Sequence, residues 1–131
     1  MKIYTTYFAN LRNLPEDIVP IAVCGKAPEG WKGLSYPALA PKKWWWLEWK
    51  ENKHEDQDYY KAMYKETVLD PLIPLSVYRD LEKMSGGKDV ALVCYEKPDK
   101  FCHRHLVAEW LGWSGTSVVE YNYETNKSKE S

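Results

Sequence analysis

The sequence predicts an α/β fold, a single-domain three-layer sandwich around a mainly parallel sheet of about four to five strands. Runs rich in β-branched and aromatic residues alternate with segments whose apolar residues recur at helical spacing. One run, Asp89–Glu96, is apolar at nearly every position through its middle, which is typical of a strand buried on both faces of a parallel sheet. Strands that alternate with helices indicate βαβ units, whose strands run parallel.

Four strands are predicted from this composition. They cover Lys2–Phe8, Ile18–Cys24, Asp89–Glu96 and Ser117–Tyr121. Pro20 lies inside the second run and favours a sheet edge or an irregular start, because proline cannot donate a ladder hydrogen bond. The segment Gly25–Lys43 holds three glycines and three prolines. It is predicted to be a long loop, and loops of this length in a compact domain often have a function.

Helical spacing of apolar residues predicts four helices. They cover Trp44–Trp49, Asp58–Val68, Ser76–Met84 and Cys102–Leu111. In the first helix, Trp45 and Trp49 stand four residues apart, so their rings share one face. We expect Ser76 to cap the third helix and Gly86 to close it, and we expect Gly112 to end the fourth.

Composition limits the function classes. The 131 residues suit one domain over residues 1–123, followed by a polar tail over residues 124–131. A net charge of −1 argues against a broad nucleic-acid-binding surface. No secretory signal is visible, and no apolar stretch approaches the ~20 residues of a membrane span. Three cysteines at irregular spacing argue against a disulfide scaffold, so we expect a cytoplasmic protein.

The strongest functional signal follows the apolar strand. Leu92, Cys94 and Glu96 alternate onto one side of it, and the next helix opens shortly afterwards. The first N–H groups of a helix lack partners and its dipole is positive there, so a helix start favours anions. Arg104 adds a planar cation, and Lys26 follows the second strand at the same edge of the sheet. These features predict a site for a small anionic or nucleotide-like ligand, bound by Arg104, Lys26 and Cys94.

Reactive groups accompany this anion site. The positive field at the helix start favours Cys102 as a thiolate. His103 could transfer protons, and Glu96 could act as an acid, a base or a partner for Arg104. The alternative for Cys94 is a core role, and for the glutamate and arginine a structural ion pair. Zinc bound by Cys94, Cys102, His103 and a distant Cys24 is disfavoured, because the spacing lacks close ligand pairs. We therefore predict catalytic Cys102, His103 and Glu96 and no metal, and the sequence does not indicate whether a cofactor is bound.

The same residues carry a resemblance to the domain of unknown function 488 family. The shared signature is Leu-x-Cys-x-Glu, a six-residue step, and Cys-His-Arg opening a helix. The matching residues are Leu92, Cys94, Glu96, Cys102, His103 and Arg104. The resemblance implies an α/β sandwich with a pocket near the Cys-His-Arg turn and does not imply a particular activity.

The chain departs from this family pattern at two strand ends. Typical members end the first strand with a Thr-Ile-Gly-His-Ser segment, where this chain has Thr5-Thr6-Tyr7-Phe8-Ala9. They follow the second strand with Asp-Val-Arg, where this chain has Ala22-Val23-Cys24. A mechanism that needs the first-strand histidine would therefore fail here.

A second function class competes with the anion-binding domain or enzyme. The Trp-rich loop and helix could bind a protein partner through Trp44, Trp45 and Trp46, with the Cys-His-Arg turn serving structure. Lys42 and Lys43 beside these indoles resemble a nucleic-acid surface, but the balanced charge supplies no channel for a strand. We expect no nucleic-acid partner and no membrane partner.

Overall fold

A computed structural model describes residues 1–52, 56–96 and 101–121 of the chain. It contains one five-stranded sheet in which every strand pair is parallel. The strands are β1 (Ile3–Tyr7), β2 (Ile18–Ala22), β3 (Leu34–Ser35), β4 (Asp89–Cys94) and β5 (Val118–Glu120). Their order in the sheet is β3-β2-β4-β1-β5. The predicted α/β fold with a parallel sheet is confirmed.

The central strand β4 organises the sheet. It pairs with β2 on one side and β1 on the other, and all its residues from Val90 to Cys94 are buried. This burial on both faces is the reason for its apolar composition. Pro20 faces Ala91 of β4, while β3 pairs only with Ile21 and Ala22. At Pro20 the strand β2 therefore pairs with β4 but not with β3. This position suits proline, because proline has no N–H to donate to a second neighbouring strand.

Within the described residues, four α-helices occur in the predicted order. They are α1 (Lys43–Asn52), α2 (Gln57–Tyr64), α3 (Pro74–Ser85) and α4 (His103–Trp113). A π-helical segment, Lys65–Leu69, extends α2, and 3-10 turns occupy Phe8–Asn13 and Pro37–Leu39. α3 ends at Gly86, whose φ of 67° is the left-handed conformation that glycine adopts without strain.

Three local predictions are corrected. Ser76 does not cap α3, because the helix already begins at Pro74, whose fixed φ suits a first helical position. Gly112 does not end α4, which runs on to Trp113. The predicted loop Gly25–Lys43 contains the short strand β3, a 3-10 turn and the first residue of α1. β3 has only two residues, too few to give a sequence pattern.

Connectivity decides which face of the sheet each helix covers. The connections from β3 to β4 and from β4 to β5 run in the same direction along the sheet, so right-handed crossovers place α1 to α4 on one face. The connection from β1 to β2 runs the opposite way and places the turn Phe8–Asn13 on the other face. The helices on one face, the sheet itself, and the segments on the opposite face form the three predicted layers.

The main core lies between the helices and the sheet. It joins buried strand residues such as Ile21 and Leu92 to residues of all four helices. Trp45 is completely buried there, and its Nε1 donates to Thr67 Oγ1 at 2.8 Å. The rings of Trp45 and Trp49 both contact Tyr60, at centroid distances of 5.0 and 4.9 Å, which confirms that they share one face of α1.

Within the part of the chain that the structure describes, each helix is too short or too polar to cross a membrane. The predicted tail, residues 124–131, lies outside the described residues, as do residues 97–100 of the predicted loop before α4. The predicted domain bounds therefore stay a prediction.

Valine-to-alanine substitutions at two strands test this account of the sheet. Val90 in β4 is completely buried, whereas Val119 in the edge strand β5 is 56% exposed. We expect Val90→Ala to lower the free energy of unfolding by about 2–3 kcal/mol, because it loses apolar burial and leaves a cavity. Val119→Ala should change it by no more than about 0.5 kcal/mol. Urea denaturation measures both, and equal losses would contradict the central position of β4.

Candidate functional site

The candidate site lies where the connections of two adjacent strands diverge. β1 and β4 are neighbours in the sheet, and the chain leaves β1 toward one face and β4 toward the other. In open parallel sheets a crevice forms at such a switch point, beyond the carboxyl ends of the strands. β1 ends at Tyr7 and β4 ends at Cys94, so the Cys-His-Arg turn at the start of α4 lies at this crevice.

Two cysteine thiols meet at this point. Cys94 is the last residue of β4 and Cys102 is the N-cap of α4, and their Sγ atoms are 2.6 Å apart. Both cysteines are free and buried, Cys94 at 1% exposure and Cys102 at 6%. A disulfide needs about 2.05 Å between its sulfurs, so a small approach separates the dithiol from the bonded form. Cys24 is also free and is half-buried, with its Sγ near the Lys26 carbonyl oxygen at 3.4 Å.

His103 faces this pair with a defined ring nitrogen. Its Nε2 lies 2.8 Å from the Val23 carbonyl oxygen, and a carbonyl can only accept, so Nε2 carries a proton and donates it. The unprotonated Nδ1 of the neutral ring then faces Cys102 Sγ at 3.9 Å. Tyr64 packs against the ring at a centroid distance of 5.6 Å. The backbone of the segment after β2 therefore orients a base toward the thiol.

The two thiols have opposite tendencies to ionise. The hydrogen bond from the Cys94 thiol, together with His103 and the backbone N–H of Arg104, lowers the pKa of Cys102 to about 3, although burial opposes the shift. Donating that hydrogen bond raises the pKa of Cys94 far above its usual range, and burial adds to the effect. The surroundings therefore favour ionisation of Cys102 over ionisation of Cys94.

A metal ion is the alternative occupant of these groups. The sulfurs of Cys94 and Cys102 and a ring nitrogen of His103 lie within 4.8 Å of one another. A tetrahedral zinc ion with bonds of about 2.3 Å would hold its two sulfurs about 3.8 Å apart. The 2.6 Å separation lies between the length of a disulfide bond, about 2.05 Å, and the spacing of two zinc-bound sulfurs. That the chain binds no metal stays a prediction.

Arg104 is completely buried, and each of its three side-chain nitrogens donates to a group of the protein itself. Its Nε and Nη2 donate to the two carboxylate oxygens of Glu120, each at 3.1 Å, and Nη1 donates to the Glu96 carbonyl oxygen at 2.6 Å. Nη1 also lies 3.8 Å from Cys94 Sγ. Thr5 donates to Glu120 Oε1 at 2.6 Å. The guanidinium thus links α4 to β1, β4 and β5.

The structure distributes the predicted site residues unevenly. Cys94, Cys102, His103 and Arg104 are brought together at the switch point. Glu96 enters only through its backbone carbonyl, because β4 ends at Cys94 and the Glu96 side chain is exposed. Lys26 is exposed in the loop after β2, where its carbonyl oxygen accepts from the Tyr95 hydroxyl. The role of Lys26 in binding a ligand stays a prediction.

Three contributors to the site were not predicted from the sequence: Glu120, Thr5 and the Val23 carbonyl. Glu120 lies in β5, Thr5 lies in β1 and Val23 directly follows β2, so all three lie outside the Cys-His-Arg motif in sequence. One feature of the sequence could have indicated Glu120. A carboxylate inside the apolar run of a short strand needs a cation if it faces the core.

The three consecutive tryptophans do not form one surface. Trp44 is 65% exposed, Trp45 is completely buried and Trp46 is half-buried against the core. Because neighbouring residues on a helix point in different directions, a run of three indoles is divided between core and solvent.

The pH dependence of stability tests the thiolate at Cys102. The folded pKa near 3 lies below the ordinary value of 9.0, so the thiolate stabilises the fold fully above pH 9.0, and this contribution is lost as pH falls toward 3. Cys94, with its raised pKa, opposes stability only above its ordinary value. Between about pH 5 and pH 8 the free energy of unfolding should rise more steeply in the wild type than in Cys102→Ala, by up to about 1.4 kcal/mol per pH unit.

Urea denaturation at several pH values measures this difference. Cys24→Ala is the matched control and should keep the wild-type slope. Equal slopes in the wild type and Cys102→Ala would show that Cys102 is protonated across this range.

The chain was compared with protein families, curated proteins and solved structures. The family model DUF488-N3a, described as the active DUF488-N3 subclade, matches residues 3–115. This range contains β1 to β4 and all four α-helices, and it stops before β5 and Glu120. No curated protein and no solved structure matches the chain. Since the match spans most of the sequence and includes the Cys-His-Arg turn, the chain belongs to the DUF488 family.

Proposed function

We propose that the protein is a dithiol redox enzyme that reduces disulfides by thiol–disulfide exchange. The observation that carries this proposal is the contact between Cys94 and Cys102, with their sulfurs 2.6 Å apart and one of them facing His103 Nδ1. A single nucleophilic cysteine would need no second thiol in contact with it. The description of the subclade as active is compatible with an enzyme and names no reaction.

Cys102 takes the part of the attacking thiolate. It stands at a helix N-terminus, and its pKa is lowered. These two properties favour the thiolate, which is the nucleophilic form. His103 stabilises the thiolate, because Nδ1 can hold the thiol proton while Nε2–H stays bound to the Val23 carbonyl.

The reaction has two displacements. Cys102 Sγ attacks one sulfur of the substrate disulfide, a mixed disulfide forms, and the first substrate thiolate leaves. Cys94 then loses its proton, which that thiolate or His103 accepts, and its sulfur attacks Cys102 Sγ. The second substrate thiolate leaves, and a disulfide joins Cys94 to Cys102. Two electrons pass from the cysteine pair to the substrate, and a second dithiol returns the pair to its reduced form.

Two other hypotheses have weaker support. Arg104 as the holder of an anionic or nucleotide-like ligand requires free N–H groups, yet Glu120 and the Glu96 carbonyl engage the guanidinium on three of its nitrogens. A protein partner bound by Trp44, Trp45 and Trp46 requires a continuous indole surface, and only Trp44 is exposed. Both hypotheses stay predictions, and the cysteine pair offers the more specific chemistry.

Trapping with glutathione disulfide tests the proposed function. The reduced wild type should form an intramolecular disulfide between Cys94 and Cys102. Cys94→Ser should stop at a mixed disulfide between glutathione and Cys102, because the second thiol is missing. Cys102→Ser should form neither product at this site. Acid quenching, peptide mapping and mass spectrometry identify each species.

Cys24→Ser is the matched control, since a serine hydroxyl can keep the bond to the Lys26 carbonyl and the variant should behave as the wild type. A wild type that stays fully reduced in excess glutathione disulfide, or that forms the adduct on Cys24 instead, would refute a dithiol enzyme.

A further inference from the structure

We propose that Arg104 stabilises the thiolate that Cys94 must form in the second displacement, and that Glu120 is the positioning residue that holds the guanidinium there. This inference rests on the proposed function, because it assigns a partner to the second sulfur of the same reaction. The geometry that carries it is the distance of 3.8 Å between Arg104 Nη1 and Cys94 Sγ, at the end of a guanidinium whose opposite edge is fixed by Glu120.

Cys94 needs a cation when it reacts. In the first displacement the negative charge of the Cys102 thiolate leaves with the first substrate thiolate. When Cys94 then loses its proton, a new negative charge appears on a sulfur that is 1% exposed and cannot be stabilised by water. His103 Nδ1 faces Cys102, whereas Arg104 Nη1 is the cationic donor that contacts Cys94 among the described residues. Arginine remains protonated when buried, so its charge is present throughout the reaction.

Glu120 determines which edge of the guanidinium faces the thiol. Its carboxylate engages Nε and Nη2 as a two-point pair, which leaves Nη1 for the Glu96 carbonyl and Cys94. Thr5 in turn holds Glu120 by donating to Oε1. A bidentate pair of this type fixes orientation as well as distance. The carboxylate therefore acts on Cys94 only through Arg104.

A symmetrical aryl disulfide with a coloured thiolate separates the two displacements in stopped-flow kinetics. The first aryl thiolate reports attack by Cys102 and the second reports attack by Cys94. Arg104→Lys keeps the positive charge, but one ammonium group cannot contact Glu120 and Cys94 together. Glu120→Asp keeps both charges, but its shorter side chain holds the guanidinium less well in place. In each variant we expect the first phase within about twofold of the wild type and the second phase slowed roughly tenfold to a hundredfold, as for loss of a hydrogen bond to a charged group.

Arg79→Lys, on the exposed side of α3, is the matched control and should leave both phases unchanged. Circular dichroism checks that each variant is folded, and Glu120→Asp carries the test if Arg104→Lys unfolds. An unchanged second phase in the folded variants would overturn the role of Arg104, and so would an equal fall in both phases, which indicates only structural damage. Absence of the first phase in the wild type would instead refute the dithiol function, so the two failures are distinguishable.

Discussion

A buried guanidinium is the constraint on which the rest of the site depends. Arg104 has no exposed surface and cannot lose its proton. Without hydrogen-bond acceptors around it, the free energy of unfolding would fall by several kcal/mol. Glu120 of β5 and the Glu96 carbonyl beyond β4 supply those acceptors, and Thr5 of β1 supports the carboxylate. One side chain thereby fixes the start of α4 relative to three parallel strands.

The position of α4 in turn creates the sulfur contact. Because Arg104 lies two residues after Cys102, an anchored guanidinium also fixes the N-cap of the helix over the end of β4, where Cys94 is the last strand residue. His103 adds a second anchor through the Val23 carbonyl at the end of β2. Two anchors on consecutive residues leave the first turn of α4 little freedom, which is the preorganisation that a reactive thiol needs.

Sequence reasoning succeeded where the signal was local. The apolar run of β4, the helix that follows it and the Cys-His-Arg turn lie within a short stretch, so the strand end, the helix start and their dipole could all be predicted. The carboxylate partner of Arg104 could not be predicted, because Glu120 meets it only after β5 has paired with β1. The sulfur contact depends on the same long-range assembly. The sequence argues against a zinc site because its cysteines and histidine do not form closely spaced ligand pairs. The fold nevertheless brings Cys94, Cys102 and His103 together.

The two sulfurs lie in different surroundings, and this difference determines the order in which they would react. Cys102 has His103 Nδ1 and helix N–H groups beside it, and these groups lower its pKa. Cys94 has a permanent cation beside it and yet keeps its proton, because it donates to the neighbouring thiolate. Once Cys102 forms a bond to a substrate sulfur, that acceptor is gone and the cation has no competing thiolate. In the proposed reaction the electrostatic preference of the site then changes from Cys102 to Cys94, so that each sulfur is activated at the step in which it attacks.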